Sequence, residues 1–124
     1  GLLDKVGIDQ HGVGGILDAL IGTDDEPGPI TMEQIVGISQ GWRLHGAIKT
    51  AERRLAGKRL IHAGRPLMAW CVGNAKIVQA GNAVTITKQA SGSAKIDPLM
   101  ALFDAVQLLS LNPVATGRSF WETA

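Results

Sequence analysis

Asp97 is the residue of this 124-residue sequence with the most suggestive chemistry, because it stands two positions after Lys95 in Lys95-Ile96-Asp97-Pro98-Leu99-Met100. The small, polar run Gln89-Ala90-Ser91-Gly92-Ser93-Ala94 precedes it. A carboxylate and an ammonium at the mouth of a helix, reached through such a loop, suit a metal or phosphate site facing solvent. The plainer alternative is a cap: Asp97 can accept bonds from the free amides of a first turn, with Pro98 at the first helical position, and spacing alone favours it. Asp9, at the end of Leu2-Leu3-Asp4-Lys5-Val6-Gly7-Ile8-Asp9, poses the same choice between a ligand and a turn or cap residue. The most basic cluster, Lys49, Arg53, Arg54, Lys58 and Arg59, either tracks a phosphate backbone or forms a solvated helix face. His62 has no second histidine or cysteine at metal-ligand spacing, which makes it a structural hydrogen-bonding residue rather than a zinc ligand.

The elements that must position these groups are legible from periodicity. The Leu2–Asp9 stretch reads as a short strand, and Ile16–Ile21 as a helix ending near Gly22 and the acidic loop from Thr23 to Pro29. Glycines 12, 14 and 15 miss the G-x-G-x-x-G spacing, so a nucleotide cofactor is discounted. Ile35-Val36-Gly37-Ile38 is an apolar run expected to form a second strand, parallel to the first if the intervening helix is a crossover. A long helix is expected from Trp42 to Ala56, with Leu44, Ile48, Ala51 and Leu55 on one face and Gly57 ending it. Leu60–Pro66 is a turn-rich connector, and Pro66–Val72 a short helix before Gly73-Asn74. Lys76–Ala80 and Ala83–Thr87 flank Gly81-Asn82, which specifies a hairpin. Leu99, Leu102, Phe103, Val106 and Leu109 recur at helical spacing, with Ala101 and Ala105 small enough for close packing, until Asn112-Pro113 stops the run. Residues 114–124, with Phe120 and Trp121, are expected to be a tail packing on a neighbour.

The bulk numbers bound the rest. Residues 1–124 form a single α/β unit, and 45% hydrophobic content with a mean hydropathy of +0.14 suffices for an ordinary core. A net charge of +1 means that any nucleic-acid contact comes from a local patch rather than from the overall field. Three Trp, two Phe and no Tyr leave little for stacking single-stranded bases, which counts against a dedicated single-strand binder. The single cysteine, Cys71, lies in an apolar stretch, so it is expected as a core thiol in a reducing compartment. No apolar run approaches the roughly 20 residues that span a bilayer, and no charged, hydrophobic, cleavable signal opens the chain. A cytosolic protein, cut from something longer because Gly1 replaces an initiator methionine, is the expectation.

Taken in order, Val6-Gly7-Ile8-Asp9 before a helix, Ile35–Gly41, Leu60–Gly64, Leu67–Lys76, Thr87-Lys88 and Lys95–Leu102 form a series that resembles the nuclease domain of the large terminase subunit of tailed bacteriophages. The resemblance runs from about Lys5 to Pro113. It implies a ribonuclease-H-like fold with a β-hairpin insertion, and metal-dependent endonucleolytic cleavage of concatemeric double-stranded DNA during genome packaging. It also implies a two-ion Mg²⁺ or Mn²⁺ site with oxygen ligands, as such hard cations require. Asp9 and Asp97 match the family's second and third acidic positions, and Lys88 and Lys95 match basic ones suited to phosphate contacts. The implied partners are DNA, the remainder of the large subunit, the small terminase subunit and the portal, in the host bacterial cytoplasm.

The chain also departs from that family. The first acidic residue belongs on an earlier strand, and nothing ahead of Asp9 supplies it, so the N-terminal antiparallel strands and one carboxylate are expected to be missing. Asp4 is a poor substitute, being on the same short strand. Asp104 lies about 10 Å along the helix from Asp97, too far to bridge the same ion pair, and is expected to pack or pair elsewhere. No G-x-x-x-x-G-K-[ST] loop occurs, so the packaging ATPase belongs to another part. Missing strands would leave an exposed sheet edge through which copies associate. The competing reading is a non-catalytic docking module that presents Arg53 and Arg54 to DNA or to the portal.

Overall fold

Val6–Asp9 forms β1 and Ile35–Ile38 forms β2, and the two pair in parallel with Val6 opposite Ile35 and Asp9 opposite Ile38. In the computed structural model, which describes residues 3–11, 13–88 and 93–114, the crossover between them contains α1, Gly14–Ile21, as parallel pairing requires. The acidic loop then folds back on the helix, with the amides of Gly28 and Ile30 donating to the carbonyls of Ile21 and Leu20. Two further side-chain bonds pin the start of β1: Lys5 Nζ donates to the Glu33 carbonyl at 2.8 Å and Gln34 Nε2 to that of Leu3 at 2.8 Å.

After β2 the chain makes a 3-10 turn over Gly41–Leu44 and enters α2, His45–Ala56. The long helix expected from Trp42 is thus divided into two kinds of turn. Leu44, Ile48 and Ala51 are buried as the periodicity requires, but Leu55 is 54% exposed because the helix runs past the core in its last turn. The chain does not turn left-handed at Gly57. That conformation falls on Lys58, with φ of 56°, in a Schellman arrangement: the Arg59 amide donates to the Arg54 carbonyl at 2.7 Å and the Lys58 amide to that of Leu55 at 3.1 Å. Gly57, with φ of −81°, is ordinary backbone.

Helix α3, Pro66–Asn74, starts on its proline and runs through Gly73-Asn74 rather than stopping before them. The hairpin follows directly as β3, Ala75–Ala80, and β4, Ala83–Lys88, paired antiparallel from Ala75–Lys88 to Ala80–Ala83. Gly81 takes φ of 58° at the first turn position, the conformation a tight two-residue hairpin asks of glycine. The last helix, α4, spans Asp97–Leu109. The tail beyond Val114 and residues 89–92 of the loop before α4 lie outside the described residues.

α4 is the element on which the others converge, packing against α2, α3 and β1. Leu99, Phe103 and Val106 join Ile38, Leu44, Ala47, Ile48, Ala51, Cys71 and Val84 in one apolar cluster. Cys71 is a fully buried free thiol, as expected. Ala101, Ala105 and Leu109 instead face solvent, so the buried stripe of α4 is narrower than the apolar residues allow. The chain is α/β, built on two separate two-stranded sheets among the described residues. No helix among these residues is long and apolar enough to cross a membrane.

Candidate functional site

The carboxyl ends of parallel strands are where α/β folds gather ligand-binding groups, and Asp9 terminates β1 at that end. One Asp9 oxygen accepts the His11 amide at 3.1 Å, an Asx turn that fixes the exit from the strand. Gln40 leaves β2 at the same end. Its Nε2 donates to the Ile38 carbonyl at 3.1 Å and, also at 3.1 Å, to Asp104 Oδ1 on α4.

Asp104, whose backbone lies by Gly7, is the carboxylate of α4 that feels the charge of Asp9. It is only 7% exposed. Burial pushes its carboxyl above the ordinary aspartate value of 3.8, the Gln40 bond pulls it back, and the charge of Asp9 pushes it up again. Gly7 makes the approach possible: a Cβ there would meet Ile38 Cγ1 at 3.0 Å and Leu108 Cδ1 at 3.1 Å, with the Asp104 carbonyl at 3.4 Å. The helix backbone therefore rests directly on the strand. The expectation that Asp104 packs or pairs elsewhere holds in its burial and its Gln40 bond, and the same placement brings it within the field of Asp9. Helical periodicity gave no such signal, since Ala105, between the buried Asp104 and Val106, is exposed.

Asp97 is the first residue of α4, with Ile96 at the cap position and Pro98 one place further in than predicted. No side-chain capping bond forms, so the plainer reading of Asp97 is not realised as a hydrogen bond; its negative charge remains favourable in the first turn. Leu108, Leu109 and Leu111 lie with Asp4 and Lys5 around one groove, whereas Asp104 lies by Gly7. α4 thus runs opposite to β1, and its amino end with exposed Asp97 extends beyond the carboxyl end of the parallel pair. Among the described residues no group of three acidic, histidine or cysteine side chains could hold a metal ion. The oxygen donors are right in kind for a hard cation and fall short in number.

Lys88 ends β4 and Lys95 precedes α4; both are exposed, and the Lys95 carbonyl accepts Asn74 Nδ2 at 3.0 Å, which ties the loop to the end of α3. Arg53 and Arg54 lie far along α2, where with Thr50, Gly57 and Arg59 they line an open depression of about 390 Å³. His62 accepts the Gly64 amide at 3.1 Å, the structural role assigned to it. His45 performs a similar task unforeseen from sequence: its Nδ1 accepts the Val84 amide at 2.9 Å and joins the start of α2 to the hairpin. Compared with protein-family models, curated proteins and solved structures, the chain gives no match.

Proposed function

We propose that the chain is the carboxy-terminal part of a phage or prophage terminase nuclease domain of ribonuclease-H-like fold, contributing to endonucleolytic cleavage of concatemeric double-stranded DNA during packaging in the host cytoplasm. The observation that carries this reading is the acid-bearing carboxyl end of the β1–β2 pair, where Asp9 closes β1 and its charge reaches the buried Asp104. Asp9 and Asp97 would hold Mg²⁺ or Mn²⁺ with a carboxylate from outside these residues. Such ions, when bound, generate an attacking hydroxide and stabilise the leaving oxygen of a phosphodiester. The role of Asp104 is different: buried and held by Gln40, it sets the position of α4 against β1 and raises the negative potential at Asp9. Lys88 and Lys95, on either side of one loop, supply phosphate contacts.

Plasmid nicking in Mn²⁺ tests the reading. Weak cleavage that disappears in both Asp9→Asn and Asp97→Asn is expected; robust cleavage surviving Asp97→Asn sinks the assignment. A docking role towards DNA or the portal is favoured by a separate observation, the arginine depression on α2. It predicts binding indifferent to Asp9→Asn and Asp97→Asn but weakened by Arg53→Ala with Arg54→Ala.

A further inference from the structure

The carboxyl end of α2 concentrates positive charge in a way that the helix alone would not. Arg53 and Arg54 belong to its last turn, but Arg59 lies beyond its end. The left-handed Lys58 reverses the chain, and the 2.7 Å bond from the Arg59 amide to the Arg54 carbonyl folds it back over the helix terminus. Arg53, Arg54 and Arg59 then line one open depression together with Thr50 and Gly57, and Arg53 Nη2 is steadied by donating to Thr50 Oγ1 at 3.1 Å. Glu52, the acid of this helix, pairs with Lys49 at 3.4 Å, the one ion pair among the described residues. None of the three arginines has an anionic partner there.

A helix carboxyl end ordinarily repels anions. Here the terminal carbonyls of Arg53, Arg54 and Leu55 are occupied by the amides of Gly57, Arg59, Leu60 and Lys58, so the guanidinium charges dominate. Guanidinium forks match phosphate oxygens two at a time. The depression is open and, at about 390 Å³, much larger than one phosphate, which fits successive phosphates of a strand better than an enclosed small anion. From this geometry we infer that Arg53, Arg54 and Arg59 form a phosphate-binding site for the backbone of a nucleic-acid duplex. The inference takes the source of the phosphate from the proposed function, while the site itself stands without it.

Two titrations test it: a fluorescent 20-base-pair duplex followed by anisotropy from 50 to 300 mM salt, and inorganic pyrophosphate followed through the arginine side-chain NMR signals. Arg59→Gln should weaken duplex binding about tenfold at 0.1 M salt and reduce the log–log salt slope by about one, as expected for one lost phosphate contact. Pyrophosphate shifting the Arg53, Arg54 and Arg59 signals without duplex binding overturns the assignment to a duplex and leaves a site for a smaller phosphate ester. Unchanged affinity and slope in both Arg59→Gln and Arg53→Gln with Arg54→Gln, without pyrophosphate shifts, overturns the inference, as does duplex binding lost only on changing Lys88 and Lys95. Loss of Mn²⁺-dependent cleavage from the nuclease scheme, with this binding intact, would count against the proposed nuclease and not against this site.

Discussion

Gln40 and Asp104, 64 residues apart, are joined by a 3.1 Å hydrogen bond that carries the end of β2 to the buried face of α4. Because Gln40 Nε2 also donates to the Ile38 carbonyl, a single amide group links strand and helix beside Asp9. The carboxylate receiving it is desolvated and lies within the field of a second carboxylate, an arrangement in which the charged form is held at a cost.

Asp104→Asn should therefore preserve the hydrogen bond and remove the unfavourable charge. The folded-state pKa of Asp104 is raised, so the native state holds its proton more tightly than the unfolded chain, and the contribution of this group to stability falls as pH rises from about 3.8 through the raised folded value. The variant should gain relative to wild type over that range, remain equal or more stable at neutral pH, and lose the advantage below it. Urea unfolding of both proteins at several pH values measures the difference. Asp104→Ala, which empties the site and removes the bond, should cost about 1–3 kcal/mol at all of them.

Gly7→Ala places a methyl group against Ile38, Leu108 and the α4 backbone. Side chains on both sheet and helix would have to withdraw, at a cost of about 1–3 kcal/mol. A drop in urea midpoint with an unchanged slope is the expected result, and an unaltered midpoint would show that α4 does not sit on β1.

Lys58→Gly should stabilise the protein. A left-handed non-glycine residue costs about 1–2 kcal/mol, and glycine returns part of that gain through the greater freedom of its unfolded chain. A net increase of about 0.5–1 kcal/mol is predicted, whereas Gly57→Ala, at a position without positive φ, should not reproduce it.

The β1–β2 sheet has two strands among the described residues, and its outer edges are unpaired there. Copies of the chain are expected to associate through them. Light scattering across a concentration series should show mass above the monomer, and a constant monomer mass would remove this prediction.

Secondary structure was mostly written locally. The parallel pair, the hairpin about Gly81-Asn82, the proline start of α3 and the apolar stripe Leu99–Phe103–Val106 follow from propensity, periodicity and turn chemistry, and they appear within a few residues of where those rules put them. α2 ends at Ala56 before Gly57, as its sequence indicates; the left-handed turn did not follow, because glycine permits one without compelling it, and the return of Arg59 over the helix places it at Lys58. The partner of Asp9 was equally hidden. Which acid comes within its field depends on how α4 lies across β1, and that direction is fixed by long-range packing of the helix on Gly7, Ile38 and the core. The types of residue able to do chemistry were visible in order along the chain, while tertiary structure alone decided that Gln40 bonds the buried Asp104 and that three arginines line one depression, since both meetings join groups whose separation local rules leave free.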